Sequence, residues 1–266
     1  AGNLSFGGLM MAAAAFTQLQ SSLRWFVDNF STIADWRATL LRVAIFRRAI
    51  AGTEVLHRTE SRIRLGDGEP DRGAAPVLVI DHLEIASPSG CIRLEDKRLE
   101  IRAGERVLVT GETGAGKTLL FRALAGLWPW GAGRIVHPRG EALYCMPRTP
   151  YVPPGTLMEA LAYPSPVGRF KRDDYLGALR RLGLGRLEPM LDEARRWDHA
   201  LNEDEQQAVV FARLSLHAPR WILVDEALDS IDVTTRERIV AMFSRELAHS
   251  GLIYIGRADP KGGFFS

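Results

Sequence analysis

The stretch "GETGAGKT", residues 111–118, constrains the fold of this chain more than any other. It matches the pattern G-x-x-x-x-G-K-[ST] in full, follows the apolar run "RVLVT" and precedes the helix-like run "LLFRALAGL". In such a strand-loop-helix arrangement, glycines let backbone N–H groups surround phosphates, and the positive end of the helix points at them. We therefore predict a phosphate-binding loop in which Lys117 contacts the β and γ phosphates and the Thr118 hydroxyl binds Mg²⁺. The residues of this loop are Gly111, Glu112, Thr113, Gly114, Ala115, Gly116, Lys117 and Thr118.

A second acidic motif, "RWILVDEALDSID", runs from four apolar residues into Asp225 and Glu226. Two carboxylates in this position can simply end a strand and cap the next helix. In a phosphate-loop domain, however, an acidic residue at the tip of a neighbouring strand holds Mg²⁺, and the next carboxylate orients or deprotonates the attacking water. Beside an intact phosphate loop, we predict these roles for Asp225 and Glu226 respectively.

Short apolar runs alternate with helical stretches in the second part of the chain. The runs are "VLVIDHLEI", "GERVLVTG", "GEALYCM", "RWILVDEA" and "GLIYIG". This alternation predicts an α/β domain with a mainly parallel, buried central sheet. Residues 51–76 precede it and are rich in glycine and charge, which is typical of a linker.

Charge and cysteine content exclude some classes of protein. The chain has 34 Lys and Arg against 32 Asp and Glu, a net charge of +2 that gives no reason to expect a nucleic-acid partner. Its two cysteines, Cys91 and Cys145, are too few for a disulfide scaffold or a cysteine-rich metal site.

The amino-terminal stretch, residues 1–23, contains no charged residue. Its length suits a membrane-spanning helix, but residues such as Gln18 and Gln20 make it only marginally apolar. It is therefore either a buried or partner-facing helix of a soluble protein or the last helix of a membrane bundle. Aromatic residues and an excess of arginine follow Leu23, as expected where a chain emerges into the cytoplasm.

These motifs together resemble the nucleotide-binding domain of an ABC transporter. The segments "ALAGLWPWGAGRI" and "PYVPPGTLMEALAYP", with the amino-terminal stretch, resemble more narrowly the half-transporters with fused permease and ATPase of the SbmA/BacA-like or peroxisomal fatty-acyl type. The resemblance implies the end of a transmembrane permease domain at residues 1–50, a linker at 51–76, and an ABC ATPase domain with a helical subdomain at 77–266. It also implies a carboxyl-terminal fragment of a longer protein, itself cut short at its end, in a membrane such as the bacterial inner membrane, with the ATPase domain on the cytoplasmic side.

The resemblance assigns further roles in a dimer in which two such domains sandwich two ATP molecules. Residues 111–118 match the Walker A loop, Asp225 the Walker B aspartate, Glu226 the catalytic glutamate, and Asp232 the D-loop aspartate. The signature segment would contact ATP held by the second transporter half, whether the assembly is a homodimer or a heterodimer. That segment is Leu201, Asn202, Glu203, Asp204, Glu205 and Gln206.

Three motifs depart from the family pattern. Arg148 stands where a glutamine usually helps to coordinate Mg²⁺, and Arg257 where a histidine usually contacts the γ phosphate. The family typically reads LSGGEQQ or LSLGEQQ where this chain reads LNEDEQQ, residues 201–207. Glu203 and Asp204 thus bring carboxylates into a segment whose serine hydroxyl and glycine N–H groups usually donate to the partner's phosphate, although the amide of Asn202 could still donate. A carboxylate about 4 Å from a phosphate charge costs about 4 kcal/mol at an effective dielectric near 20, before screening; a remodelled loop that turns both side chains to solvent would avoid this cost.

We therefore expect the chain to bind Mg²⁺ and ATP but to hydrolyse ATP slowly, unless a partner supplies an intact signature. A pseudo-ATPase that forms a structural half of a transporter, and a soluble P-loop ATPase that is not coupled to transport, remain alternatives. The transported substrate is not assigned.

Overall fold

A computed structural model describes residues 5–58, 61–68, 77–88, 90–112, 114–138, 143–229, 231–256 and 264–265. The chain forms two compact units, residues 1–58 and 59–266. The first unit is helix α1, Phe6–Arg58.

The strands of the second unit are β1 Arg64–Gly68, β2 Val77–Ser87, β3 Gly90–Arg93, β4 Arg98–Arg102, β5 Arg106–Val109, β6 Gly131–Pro138, β7 Leu143–Met146, β8 Gly155–Thr156, β9 Ala194–Arg195, β10 Trp221–Asp225 and β11 Gly251–Ile255. Its helices are α2 Lys117–Leu124, α3 Leu157–Ala162, α4 Arg172–Arg181, α5 Trp197–Ala200, α6 Glu203–His217 and α7 Val233–Ser244.

Helix α1 covers the segment in which we expected the end of a transmembrane helix. Among the helices of the described residues, none combines the length and the apolar character that crossing a membrane requires. Polar residues such as Gln18 and Gln20, followed by Arg24, interrupt its apolar stretch. The expected transmembrane segment is therefore not confirmed.

Part of the predicted linker, residues 51–76, lies in a helix and a strand. Helix α1 continues to Arg58, and Arg64–Gly68 forms β1, which pairs in parallel with β6. The sequence "RLGDG" carries no strand-like alternation, and its strand conformation is stabilised by the backbone hydrogen bonds that β6 offers. Residues 69–76 of the predicted linker lie outside the described residues.

The central sheet has the strand order β5-β11-β10-β7, and all its pairings are parallel. Every residue of β10 and β11 is buried, because helices cover a parallel sheet on both faces. The predicted α/β fold with a mainly parallel, buried central sheet is thus confirmed. Carboxyl ends of parallel strands meet at one edge, so the residues that follow β5 and β10 lie close together.

A second sheet is mainly antiparallel and is built around β2, which pairs with β3, β4 and β6. Strand β1 extends it at the edge, beside β6. Apolar residues of this sheet, such as Leu78, Ile101 and Ile135, share a core with Leu124 of α2 and Leu223 of β10. This shared core holds the phosphate loop against both sheets.

The predicted helical subdomain is formed by α3, α4 and α6. Helix α6 packs against both α3 and α4, and the core between them includes Leu161, Tyr175 and Phe211. The buried Arg213 of α6 donates hydrogen bonds to the carbonyl oxygens of Ala160, at 2.9 Å, and Tyr151, at 3.0 Å. The bond to Ala160 ties α6 to α3, and the bond to Tyr151 ties it to the loop between β7 and β8, which carries Arg148.

Candidate functional site

The phosphate-binding loop connects β5 to α2, as the sequence predicted. Gly116 caps the amino terminus of α2 with φ +89°, a left-handed conformation that strongly favours glycine. A side chain at this position would also collide with Ile92 of β3. The loop therefore brings backbone N–H groups and the positive end of α2 to one surface, which suits a phosphate. Thr113 lies outside the described residues.

Lys117, the first residue of α2, holds its ammonium group over this loop. Its Nζ donates to the carbonyl oxygen of Gly111 at 3.1 Å and lies 3.2 Å from Oε1 of Glu226. Only 15% of the Lys117 side chain is exposed. The Lys117 ammonium thus lies at the mouth of the loop and pairs with the Glu226 carboxylate. A phosphate bound in the loop would present the same kind of negatively charged oxygen to it.

Asp225 ends β10 and Glu226 follows it directly, and the structure brings both to the phosphate loop. Asp225 is buried, with 5% exposure, and its pKa is raised by burial and, to a smaller extent, by the charge of Glu226. Glu226 adopts φ +49°, and its N–H donates to the carbonyl oxygen of Ile255 at 2.8 Å. The left-handed backbone of Glu226 places the two consecutive carboxylates at the same edge of the sheet.

The donor set fits a hydrated Mg²⁺ ion bound with a nucleotide. The Asp225 carboxylate accepts no hydrogen bond from the described residues, and the Thr118 hydroxyl is exposed in the first turn of α2. Within the part of the chain that the structure describes, no cluster of three or more Asp, Glu, His or Cys residues could hold a metal. One carboxylate and one hydroxyl match Mg²⁺, which keeps several waters and takes further oxygens from phosphates.

Arg148 also belongs to this cluster. Its Nη1 lies 3.3 Å from Oε2 of Glu226, and 75% of its side chain is exposed. Its carbonyl oxygen accepts a hydrogen bond of 2.8 Å from Nε2 of Gln207, a buried residue of α6. The sequence placed Arg148 where a glutamine usually helps to coordinate Mg²⁺, but it did not predict the ion pair with Glu226.

Asp232 caps α7 by accepting a hydrogen bond of 3.0 Å from the N–H of Thr235. The hydrogen bonds from Thr235 hold the pKa of this carboxyl below its usual value. The described residues show no contact between Asp232 and the cluster around Lys117. Arg257, the predicted contact of the γ phosphate, lies outside the described residues.

The signature segment forms the start of α6. Asn202 Oδ1 accepts from the N–H of Glu205 at 2.9 Å, and the Glu205 carboxylate accepts from the N–H of Asn202 at 3.2 Å, so the two residues form a capping box. Arg186 pairs with Glu205, with Nε at 2.8 Å from Oε1. Leu201 is buried, and Gln206 donates to backbone carbonyls of the preceding turn.

Glu203 and Asp204, in the first turn of α6, are exposed. Neither side chain makes a hydrogen bond or ion pair with another described residue, whereas Glu205 beside them is engaged by the cap and by Arg186. The carboxylates of Glu203 and Asp204 therefore have no partner among the described residues and are accessible to a molecule that binds at the start of α6.

We expect Asn202→Ala to lower the free energy of unfolding by about 1 kcal/mol, because the N–H of Glu205 loses its acceptor. Denaturant-induced unfolding followed by circular dichroism measures this change. Glu203→Ala in the same turn is the control and should change stability by less than about 0.5 kcal/mol, since its side chain makes no bond. Equal effects of the two substitutions would show that the capping box is not what stabilises this turn.

The fold and the cluster around Lys117 define a P-loop nucleotide-binding domain. The family model "ABC transporter" matches residues 94–229. An uncharacterized ABC transporter ATP-binding protein of Synechocystis is 32% identical over 244 residues, which are 90% of this chain and 37% of that protein. ATP-binding cassette sub-family D member 3 of Rattus norvegicus is 33% identical over 171 residues, 61% of this chain and 26% of that protein.

A solved structure, that of a bacterial Atm1-family ABC exporter with ATP bound, has the same fold. It superposes with a TM-score of 0.59 at 24% identity and covers 79% of this chain and 40% of the exporter chain. The chain belongs to the ABC transporter family. It spans well under half the length of the relatives it matches.

Proposed function

We propose that this chain is the ATP-binding and ATP-hydrolysing module of a membrane transporter and couples Mg²⁺-dependent ATP binding and hydrolysis to substrate translocation. The observation that carries the proposal is the meeting of Lys117, Asp225 and Glu226 at the carboxyl edge of the parallel sheet. Membership of the ABC transporter family supports the link to transport.

Each residue of the cluster has a chemical task in this proposal. The N–H groups of residues 111–118 and the ammonium of Lys117 bind the phosphates. Thr118 and Asp225 would hold Mg²⁺, which neutralises charge that develops on the phosphates. Glu226 accepts the proton of the attacking water, and Arg257 donates to the γ phosphate.

The assembly that we propose is a dimer of transporter halves, either identical or different. Residues 201–206 of one half would complete the ATP site of the other, and Asp232 would communicate across the interface. Residues 1–50 would belong to the permease domain, so that the protein lies in a membrane such as the bacterial inner membrane with the ATPase domain on the cytoplasmic side. Closure of the two ATP sites would shift the permease between its inward-facing and outward-facing states.

We propose further that hydrolysis is slow in a homodimer. Glu203 and Asp204 are exposed at the start of α6 and unpaired among the described residues, so they would place negative charge beside the partner's phosphates. Arg148 supplies a positive charge where a metal-coordinating amide is usual, and a guanidinium cannot coordinate a metal ion.

Replacing both acidic residues, Glu203→Ser with Asp204→Gly, should raise steady-state phosphate release by the homodimer about tenfold or more, because the repulsion of the γ phosphate is removed. The matched control is Glu95→Ser with Asp96→Gly, an exposed acidic pair between β3 and β4, which should leave the rate unchanged. Unchanged phosphate release by the first variant would contradict the role of the two carboxylates.

The same exposed carboxylates favour one other function, that of a pseudo-ATPase half of a heterodimer. Two measurements on the full-length dimer distinguish a slow ATPase from a pseudo-ATPase. They are the binding of a Mg²⁺-bound ATP analogue and the release of phosphate from ATP. Binding with slow turnover supports the proposed function, and binding without any turnover supports the pseudo-ATPase. Turnover at the ordinary rate of ABC exporters would contradict slow hydrolysis, and absence of binding would contradict both. Recovery of the full-length protein in the soluble fraction would favour a soluble P-loop ATPase instead.

A further inference from the structure

The Glu226 carboxylate lies between two cations. Oε1 is 3.2 Å from Nζ of Lys117, and Oε2 is 3.3 Å from Nη1 of Arg148. The Glu226 side chain is only 21% exposed, so little water reaches this carboxylate. The lysine expected at the phosphates is thus paired with the expected catalytic base.

ATP binding would weaken the ion pair between Lys117 and Glu226. A phosphate that accepts hydrogen bonds from the Lys117 ammonium shares its positive charge, so less of that charge remains to balance the Glu226 carboxylate. Glu226 would then be a partly buried carboxylate that has lost a cation and faces a polyanion. The loss of the cation and the approach of the phosphates both weaken ATP binding unless another positive charge stays beside the Glu226 carboxylate.

Arg148 is placed to supply this charge. Its backbone is held by the hydrogen bond that Gln207 donates to its carbonyl oxygen, and Gln207 is 4% exposed in α6. The long, largely exposed side chain of Arg148 reaches Oε2 from outside the phosphate loop, so a phosphate that engages Lys117 does not have to displace it.

We infer that Arg148 is a positioning residue that retains the Glu226 carboxylate when Lys117 turns to the phosphates of ATP. This inference rests on the proposed ATP-binding function. With Oε2 held by Arg148, Oε1 is the oxygen that Lys117 releases, and it becomes the free acceptor for the proton of water. Arg148 thus neutralises the Glu226 carboxylate after Lys117 has turned to the phosphates. It acts through Glu226 and does not contact phosphate itself.

A double-mutant cycle on the full chain tests the inference through nucleotide affinity. The dissociation constant of a Mg²⁺-bound, non-hydrolysable ATP analogue is measured for the unsubstituted chain, Arg148→Gln, Glu226→Gln and the double variant. We expect Arg148→Gln to weaken binding by about tenfold, an effect limited by the exposure of Arg148. In the Glu226→Gln background the same substitution should change affinity less than about twofold, because no carboxylate remains to be paired.

Two further variants separate positioning from a merely structural role. Arg148→Lys keeps the positive charge and should restore most of the affinity. Arg172→Gln breaks the exposed ion pair with Asp192 and is the matched control, expected to bind the analogue as the unsubstituted chain does.

Equal weakening by Arg148→Gln in both backgrounds, or unchanged affinity in the Glu226-containing chain, would overturn the inference. Failure of Arg148→Lys to restore binding would do the same. If the unsubstituted chain binds no nucleotide, the proposed function fails and the inference with it. Binding by the unsubstituted chain combined with additive effects contradicts the inference alone.

Discussion

Lys117→Ala is expected to weaken the binding of Mg²⁺-bound ATP at least about 100-fold and to abolish phosphate release, because charge-assisted hydrogen bonds to phosphate in a partly desolvated loop are among the strongest that a protein makes. The Lys117 side chain is only 15% exposed and its ammonium lies over the loop, so water does not replace it easily. Titration with a fluorescent ATP analogue measures the affinity, and a phosphate-release assay measures the turnover.

Lys171→Ala is the control for this substitution, since it removes a lysine at the start of α4, outside the phosphate loop. It should leave affinity and turnover unchanged. If Lys117→Ala binds nucleotide as tightly as the unsubstituted chain, the phosphate site is not where we place it.

Glu226→Gln should lower phosphate release at least about 100-fold while it keeps or tightens nucleotide binding, since an amide cannot accept the proton of the attacking water and no longer pairs with Lys117 as an anion. The glutamine has the same shape, so the φ of +49° and the bond to Ile255 can be kept. The opposite effects on binding and turnover distinguish this substitution from Lys117→Ala.

Glu237→Gln on α7 provides the matched control, because it changes an exposed carboxylate outside the cluster. Turnover that survives Glu226→Gln would assign the general base to another group. Loss of nucleotide binding in this variant would instead show that Glu226 is needed to hold the nucleotide.

Local sequence predicted the parts of the site that depend on neighbours along the chain. The phosphate loop lies between β5 and α2 because its glycines, the preceding apolar run and the following helix act within a few residues. The capping box of Asn202 and Glu205 is local in the same way. Asp225 at the end of β10 followed from the apolar run before it.

The remaining features depend on contacts between distant parts of the chain. Strand β1 was expected to be linker, because its pairing with β6 involves residues about 70 positions away and leaves no local pattern. The ion pair of Arg148 with Glu226 joins two loops that only the order of strands in the parallel sheet brings together. No rule of spacing along the chain reveals such a pair.

The backbone conformation of Glu226 lowers folding stability, whereas its carboxylate serves the proposed hydrolysis. For a residue other than glycine, the left-handed conformation costs about 1 kcal/mol or more, so this position is a small reservoir of strain. Random substitution to glycine would relax the strain and discard the carboxylate in one step. The glutamate at this position therefore keeps its carboxylate at a cost in folding stability that a glycine would not incur.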